Sequence, residues 1–330
     1  MRRFDEQAKG SMRLALAVSA LALAACSTHA PKPPPIPEPA PVDSAPEIVI
    51  ETPPAVGSTP AKIPKAPPSP AIAIVLTNGQ SAYADVAREL THHFENYEVY
   101  DLSDTDRPPV TVLRLINDSH SGITVAIGLR AAISSVAMSK KPVVFSQVFN
   151  FQDHQILTEN SRGVAAVAPI DAQIKAWKEV DPAISRIGMI VGEGHEDLLS
   201  EARRAAERHG VELRVHVTHS DQETLYFFKR MIRDIDGFWL LPDNRVLSSR
   251  ALQQIMSDAK RQRVPVLVPS ESMLRLGASL SISSVASDIA ATIAKVIRQI
   301  QAGNLDQVPP ISPLSAIRVR TNDTIQVVDR

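Results

Sequence analysis

The 330-residue chain has little of several features that mark common functional classes. It has one cysteine, which excludes an intramolecular disulfide and a multi-cysteine metal site. Aromatic residues make up only 4%, so we expect an aliphatic core. Lys and Arg number 35 against 36 Asp and Glu, and the formal net charge of -1 argues against a general nucleic-acid-binding protein.

Catalytic and cofactor motifs are also lacking. The sequence has no G-x-S-x-G nucleophile elbow and no glycine-rich phosphate loop with a lysine. The G-x-G at 192–194 lacks the third glycine of a dinucleotide-binding fingerprint. His92 and His93 are adjacent and point apart on a helix, and no third ligand accompanies His216 and His219. We therefore expect no enzyme activity, no cofactor and no metal site.

The N-terminal 25 residues are typical of a bacterial lipoprotein signal peptide. An apolar run over 14–25 follows Arg13, and it is shorter than the roughly 20 residues that span a bilayer. It ends at Leu-Ala-Ala followed by Cys26, which resembles a lipobox whose cysteine becomes the lipidated first residue. Because Ser27 stands where aspartate commonly signals inner-membrane retention, we expect an anchor on the periplasmic side of the outer membrane.

Residues 26–70 are predicted to be a lipid-anchored cysteine followed by a proline-rich, disordered linker. Of the 26 prolines in the chain, 15 lie between Pro31 and Pro70. Proline removes amide donors and fixes φ, so neither a helix nor a central strand is expected here. In polyproline II conformation the segment would hold a folded domain well away from the membrane.

From residue 71 onward the pattern alternates between strand and helix. Strands are predicted at 71–76, 97–100, 123–127, 142–146, 163–167, 186–191, 212–217, 237–241, 265–268, 278–282, 316–320 and 324–328. Helices are predicted at 81–94, after Gly128, and at 170–178, 195–209, 221–233, 247–262 and 285–302. Repeated units of this kind predict an α/β fold with two lobes of parallel sheet flanked by helices, and a cleft between them.

Ligands of open parallel sheets bind beyond the carboxyl ends of the strands. In this sequence those positions are polar and rich in hydroxyl groups. The candidate ligand-binding residues are Asn78, Gln80, Gly128, Ser146, Gln147, Asp243, Asn244, Arg245 and Glu271. Asp243 and Arg245 suit the ammonium and carboxylate of an amino acid, although a solvated turn with Asn244 capping the next helix explains the same residues. Phe149 to Phe151 are expected at the hinge or the cleft.

An ordered series of short motifs resembles the ABC transporter substrate-binding proteins with a type 1 periplasmic fold, the group with tryptophan and tyrosine binders. The motifs are VAIG at 125–128, PVVFS at 142–146, GV at 163–164, DP at 181–182, RIGMI at 186–190, PDN at 242–244 and PV at 265–266. The resemblance spans residue 71 to about 303. It implies a first lobe over 71–160, a second over 161–276, and a return to the first lobe, the hinge and a C-terminal hairpin over 277–330.

This resemblance implies a non-enzymatic protein that captures a small polar, amino-acid-like ligand, with an ABC permease as partner. The alternative follows from the expected outer-membrane anchor and long linker. The architecture also resembles outer-membrane lipoproteins whose binding-protein-like domain contacts cell-wall synthases. On that interpretation the chain is an interaction module for an envelope protein. The sequence does not identify the ligand.

Overall fold

Most strands are short apolar runs because their residues are buried on both faces of a sheet. The computed structural model describes residues 72–243, 245–321 and 325–328. Every residue of Ile72–Leu76 and Ile123–Ile127 is buried there, and alternate residues contact two different aliphatic cores. This is the pattern expected where helices cover both sides of a parallel sheet.

Six parallel strands form the first sheet. They are β1 Ile72–Leu76, β2 Tyr97–Asp101, β3 Ile123–Ile127, β4 Val143–Ser146, β5 Ser161–Val164 and β11 Ile311–Ser312. Their spatial order is β11-β5-β4-β3-β1-β2. Ile74 of β1 lies opposite Val99 of β2 and Val125 of β3, so β1 is a central strand between two neighbours.

Seven strands form the second sheet. They are β6 Arg186–Val191, β7 Glu212–Val217, β8 Gly237–Trp239, β9 Val266–Val268, β10 Leu280–Ser284, β12 Ile317–Thr321 and β13 Ile325–Val328. Their order is β13-β12-β10-β9-β8-β6-β7. Strands β6 to β10 are parallel, whereas β12 runs antiparallel to both β10 and β13.

Eight helices flank the sheets in the described part of the chain. They are α1 Ser81–Thr91, α2 Pro109–Asp118, α3 Leu129–Met138, α4 Ile170–Val180, α5 Glu196–Arg208, α6 Asp221–Met231, α7 Ser249–Gln262 and α8 Ala286–Gln301. Their apolar stripes fill the space between helix and sheet. For example, Val86 and Leu90 of α1 pack against β1 and α8 in one core.

The described chain passes between the two sheets three times. After β5 it enters α4, whose Trp177 is buried in the core of the second sheet. After β10 it returns to the first sheet, where α8 buries Ile289, Ile293 and Ile297. After β11 it crosses back to form β12. The fold is therefore the two-lobed α/β fold that the sequence predicts, with three connections between the lobes.

Two strands lie in a different lobe from the one expected. Strand β5 begins at the predicted start of the second lobe, residue 161, yet it pairs with β4 and β11 in the first sheet. Strand β10 follows the predicted end of that lobe, residue 276, yet it pairs with β9 and β12 in the second. Each is a short buried run whose partners are distant in sequence, so local pattern does not assign it to a sheet.

Several sequence predictions fall outside the described residues. These are the signal peptide over 1–25, Cys26 and the linker over 26–70, and the turn over 322–324 between β12 and β13. Within the described ranges, no helix combines the length and the hydropathy needed to cross a bilayer.

Candidate functional site

A cleft of about 810 Å³ lies where the ends of strands and helices from both sheets face each other. This volume is within the usual range for small-molecule sites. Its lining is mixed polar and apolar. The lining residues are Gln80, Ser81, Ala82, Tyr83, Asp85, Val86, Leu129, Gln147, Val148, Phe149, Asn150, Ala166, Pro242, Pro269, Ser270, Glu271, Ser272, Ser283, Ser284, Ala286, Ile289 and Arg318.

The first-lobe wall is built from the start of α1 and the end of β4. Gln80, Tyr83 and Asp85 come from α1 and the residue before it, because β1 ends beside the cleft. Burial raises the pKa of the Tyr83 hydroxyl above its ordinary value, so Tyr83 presents a neutral O–H. Gln147 follows β4 directly and has a left-handed backbone with φ 60°. Such a conformation is uncommon for a residue other than glycine and clusters at functional sites.

The second-lobe wall carries the opposite charges of the cleft. Glu271 begins a short 3₁₀ helix after β9, and Arg318 lies on β12. Arg318 Nη1 is 3.8 Å from Glu271 Oε1, which is a loose ion pair, and Arg320 holds the other Glu271 oxygen by a hydrogen bond. Ser283 and Ser284 complete this wall at the end of β10.

Two helices start at the cleft without a side-chain hydrogen bond to cap them within the described residues. They are α1 after Gln80 and α8 after Val285. At the start of α3, by contrast, the Ala131 amide donates to Thr77 Oγ1 at 3.1 Å. The first N–H groups of a helix lack partners inside the helix, and the helix dipole favours negative charge there. This side of the cleft therefore favours an anionic group of a ligand.

The structure brings three of the predicted binding residues into the cleft: Gln80, Gln147 and Glu271. Three others lie behind its wall. Asn78 accepts a hydrogen bond from the Gln80 amide at 3.1 Å and so shapes the turn before α1. Ser146 is fully buried at the end of β4.

Gly128 is the third residue behind the wall. Its φ is 88°, and a Cβ there would lie 2.6 Å from Thr77 Oγ1 and 2.9 Å from Tyr83 Cζ. A side chain at this position would therefore collide with the strand-end residue and displace a cleft residue. Gly128 therefore leaves room for Thr77 and Tyr83 and is not among the residues that line the cleft.

The buried Asp243 carboxylate accepts several hydrogen bonds. Its side chain is only 2% exposed. Oδ1 accepts from Arg245 Nε at 3.0 Å and Asn150 Nδ2 at 3.1 Å, while Oδ2 accepts from the Gly192 amide at 2.7 Å. Burial alone would raise the pKa of Asp243, but the contacts from His195, Arg245 and Gly192 outweigh it and hold the pKa well below its ordinary value. Asp243 is therefore an ionised carboxylate with both oxygens engaged.

The Arg245 guanidinium is engaged on all three nitrogens. Besides Asp243, it donates from Nη1 to Asp153 Oδ2 at 2.7 Å and from Nη2 to the Glu193 carbonyl at 2.8 Å. Nη2 also lies 2.7 Å from His195 Nε2. The His195 ring packs against Phe149, with ring centroids 4.5 Å apart. We use the name interlobe network for the side chains of Phe149, Asn150, Asp153, His195, Asp243 and Arg245.

The interlobe network joins the two lobes. Asn150 and Asp153 lie in the segment between β4 and β5 of the first sheet, whereas His195 and Asp243 follow β6 and β8 of the second. The expectation that Asp243 and Arg245 hold a ligand is therefore not met by this geometry, because their hydrogen-bonding groups are used within the protein. Asn244, predicted with them, lies outside the described residues.

Sequence reasoning missed Tyr83, Asp85 and Arg318 as cleft residues. Tyr83 fits the apolar spacing of an amphipathic helix, which by itself is typical of a residue that packs in the core. Arg318 lies in a strand interpreted as one half of a terminal hairpin, and nothing local places that strand beside β10. The one available signal was for Asp85: it is an acidic residue in a helix that follows a strand end.

A second cavity, beneath Asp243, measures about 10 Å³ and is too small for a ligand. Within the described ranges, no group of three or more His, Cys, Asp or Glu side chains is placed to hold a metal ion. Of these two cavities, the cleft has the size that suits a small molecule.

The sequence profile of one family, ABC transporter substrate binding protein, matches residues 95–322. This match covers more than half of the chain and includes most of both sheets. A search of curated protein sequences finds no significant match.

Several solved structures share the fold over most of the chain. A conserved domain protein from Vibrio cholerae has a TM-score of 0.54 at 18% identity, covering 79% of this chain and 96% of its own. An ABC domain from Streptococcus pneumoniae in complex with L-Trp has a TM-score of 0.54 at 16% identity, covering 78% and 92%. A ligand-free, open substrate-binding protein with adhesive properties from Clostridium difficile has 0.55 at 13%, covering 78% and 91%. At these identities the likeness establishes the fold.

Proposed function

The chain belongs to the ABC transporter substrate-binding protein family, and on this basis we propose that it captures a small polar, amino-acid-like ligand for an ABC importer. Proteins of this family bind small molecules, interact with ABC permeases, are typically periplasmic and are generally not enzymes. The observation that carries the proposal is the cleft of about 810 Å³ lined by residues from both lobes.

The lining of the cleft supports a ligand that carries charge of both signs. Asp85 on one wall and Glu271 on the other are carboxylates, while Arg318 and the starts of α1 and α8 offer positive charge. A zwitterion satisfies both kinds of group at once, which an uncharged solute does not. The pneumococcal neighbour solved with L-Trp adds weight to an amino-acid-like ligand.

Two aromatic rings in the cleft favour a ligand that carries an apolar side chain. Tyr83 and Phe149 both line it, although only one in 25 residues of the chain is aromatic. One face of the Phe149 ring packs against His195 of the interlobe network. This contact fixes the orientation of the ring, and therefore of the other face, which a ligand can contact. An apolar side chain on the ligand would pack against these rings.

We propose that ligand binding stabilises closure of the lobes over the cleft. A ligand that touches Gln80 and Gln147 on one wall and Glu271 on the other gains contacts only when the walls approach. The interlobe network lies beside the same cleft, since Phe149 and Asn150 belong to both. It supplies lobe-to-lobe contacts that do not depend on the ligand.

The test is thermal unfolding of the secreted chain with Cys26→Ser, which removes the expected lipid, against the twenty L-amino acids and a set of sugars and small metabolites. A ligand at 100 times its Kd stabilises the fold by about 2.7 kcal/mol. For lobes of this size that shifts Tm by several degrees, roughly.

A Gln147→Ala, Glu271→Ala double variant serves as the matched control. It should lose the ligand-induced shift while keeping most of the ligand-free stability, because both side chains are at the cleft surface. Absence of any shift across the whole set in the parent chain would contradict solute capture.

A second function is favoured by the sequence of residues 26–70. The lipobox cysteine Cys26 and the run of prolines suit an outer-membrane lipoprotein that reaches a protein partner in the envelope. Deleting half of the linker while keeping Cys26 should abolish function on this proposal and leave solute binding intact. Metabolic labelling with an alkyne fatty acid, with Cys26→Ser as the control, tests the anchor itself.

A further inference from the structure

We infer that residues 147–155 form a strap that holds the two lobes together without a ligand, so that the resting protein is closed, with the interlobe network formed. This inference does not depend on the proposed function, because every contact in it joins parts of the chain itself. The strap follows β4 and leads to β5, and both strands belong to the first sheet. It is therefore a noncovalent connection between the lobes, in addition to the three crossings of the chain.

One set of side chains anchors the strap in the first lobe. Val148 is buried in the core on one face of the first sheet, and Phe151 packs against the same core. The Phe151 ring centroid lies 6.2 Å from that of Phe145 on β4. Ile156, which follows the strap, is also buried in this core. The strap is therefore expected to move with the first lobe.

The Phe149 ring, between these anchors, packs into the second lobe. It is partly buried against the core of the second sheet, the core that contains Trp177 and Met189. It also packs on the His195 ring, as described above. An aromatic ring of one lobe thus completes the core of the other. Separating the lobes would expose apolar surface on both sides to water, which favours the closed state.

Three polar contacts join the strap to the second lobe. Asn150 Nδ2 donates to Asp243 Oδ1 at 3.1 Å, and Asn150 Oδ1 lies 3.0 Å from His195 Nε2. Asp153 Oδ2 accepts from Arg245 Nη1 at 2.7 Å. Because Asn150, His195 and Asp243 are buried, these contacts form away from water, where hydrogen bonds are stronger. All three are lost when the lobes separate.

The backbone at both ends of the strap has an uncommon conformation. Gln147 has φ 60° and Gln155 has φ 50°, although neither is glycine. Left-handed residues of this kind are rare, and they persist where the surrounding structure determines them. The shape of the strap is therefore set by its packing on both lobes, which indicates a fixed element between them.

The strap changes what ligand binding can do to the lobes. A ligand shifts a conformational equilibrium only by its different affinity for the two states. Where side chains of the protein already favour the closed state, a ligand stabilises that state further but does not create it. A partner protein that recognises the closed lobes would therefore also recognise the empty protein, and closure would not report whether the cleft is filled.

The test measures the separation of the lobes in the full secreted chain without ligand. In a Cys26→Ser background, which removes the one native cysteine, Arg130→Cys and Gln222→Cys carry spin labels. Both positions are exposed, and they lie in the first turns of α3 in the first lobe and α6 in the second. Double electron–electron resonance should give one narrow distance distribution that matches their separation in this structure.

Two variants should release the strap. Phe149→Ala removes the ring from the second-lobe core, and Asp153→Lys places a like charge beside Arg245 in place of the ion pair. Each should add a population at longer distance, because it removes contacts that exist only in the closed state. Circular dichroism checks that both variants are folded. Asp153 is 35% exposed, so Asp153→Lys tests the inference by itself if Phe149→Ala does not fold.

Each variant has a matched control. Phe227→Ala removes a partly buried ring that also stacks on a histidine, His216 at 4.3 Å, but within the second lobe. Glu159→Lys makes the same change of charge as Asp153→Lys at an exposed position of the segment between β4 and β5. Both controls should keep the distance distribution of the parent chain.

Three results would overturn the inference. The first is a parent chain whose main population lies at longer distance than in this structure, because its lobes would be open at rest. The second is an unchanged distribution in folded Phe149→Ala and Asp153→Lys, and the third is equal opening by the controls. Solute capture stands or falls separately, since its test is the ligand-induced shift in Tm.

Discussion

Two arginine–carboxylate pairs lie near the cleft, and they differ in almost every physical respect. Asp243 is 2% exposed and shares Arg245 with Asp153, His195 and a backbone carbonyl. Glu271 is 29% exposed, and its contact with Arg318 is 3.8 Å. The hydrogen-bonding groups of Asp243 and Arg245 are used within the protein, and their partners connect the two lobes. The Glu271–Arg318 pair, in contrast, is longer than a hydrogen bond and faces the cleft. Pairing of opposite charges alone thus does not indicate a ligand site; unfilled hydrogen-bonding capacity does.

The difference also separates stability from binding. Breaking a buried pair leaves an uncompensated charge in a poorly solvated place, which is strongly destabilising. An exposed pair contributes about 0–1 kcal/mol. Substitutions at the interlobe network should therefore act on folding and closure, and substitutions at the Glu271–Arg318 pair on ligand affinity. The predictions below test that division, beginning with the largest effect.

Asp243→Ala should lower the free energy of unfolding by about 3–5 kcal/mol, because it leaves Arg245 and the Gly192 amide without their buried acceptor. Urea denaturation followed by circular dichroism measures this. Glu179→Ala is the control, since Glu179 forms an exposed pair with Lys175 at 4.0 Å and should change stability by less than about 1 kcal/mol. Similar losses in the two variants would refute the division.

Combined Asn150→Ala and Asp153→Ala should lower stability by about 1–3 kcal/mol and open the lobes. These two side chains are the first-lobe partners of Asp243 and Arg245. An increased radius of gyration in small-angle X-ray scattering of the ligand-free protein is the expected sign of opening. Glu159→Ala, an exposed substitution in the same segment between β4 and β5, should leave the radius unchanged.

Acid should destabilise the protein through Asp243. Its pKa is depressed in the folded state, so its contribution to stability is complete above the unfolded pKa of about 4 and is lost as pH falls below that value. Each such group changes stability by at most about 1.4 kcal/mol per pH unit. Asp243→Asn should therefore flatten the fall in stability below pH 4, measured by denaturation at several pH values.

In the Asp243→Asn variant, Asp236 should still cause part of the fall in stability below pH 4. A hydrogen bond from Arg186 outweighs burial and also holds the pKa of Asp236 well below its ordinary value. The slope left in Asp243→Asn should be reduced further by adding Asp236→Asn. An Asp243→Asn variant with the slope of the parent chain would show that Asp243 is not ionised in the folded protein.

Arg318→Gln should change the free energy of unfolding by less than about 1 kcal/mol, which is the smallest effect in this set, because its ion pair is loose and 40% exposed. The same variant should have the largest effect on ligand affinity. A loss of stability as large as that of Asp243→Ala would contradict the division, because it would show that the Glu271–Arg318 pair also stabilises the fold.

Much of the fold could be predicted from the sequence because buried parallel strands form continuous apolar runs. The run at β1 is buried at all five positions and needs no partner information to be recognised. Helix α2 was missed, although Pro109 at its first turn and buried Val112, Leu113 and Ile116 fit a helix. Which sheet a strand joins, as for β5 and β10, depends on partners far along the chain.

The site was less predictable for the same reason. Gln80, Gln147 and Glu271 follow strand ends, and the rule that ligands bind there was sufficient to find them. Asp243 and Arg245 are close in sequence, which suggested a ligand site, but the groups that occupy them lie 50 to 93 residues away. Arg318 reaches the cleft only through the antiparallel pairing of β12 with β10.

The path of α8 has a consequence for the order in which the protein folds during synthesis. The first sheet begins at residue 72, but one of its faces is covered by Ile289, Ile293 and Ile297 of α8. Its core therefore stays incomplete until about residue 300 has emerged, after the strands of the second lobe up to β10 have been made. The lobe that starts first is thus completed only after most of the second lobe has been made. A nascent chain that stops before α8 exposes a bare aliphatic sheet face to chaperones and proteases.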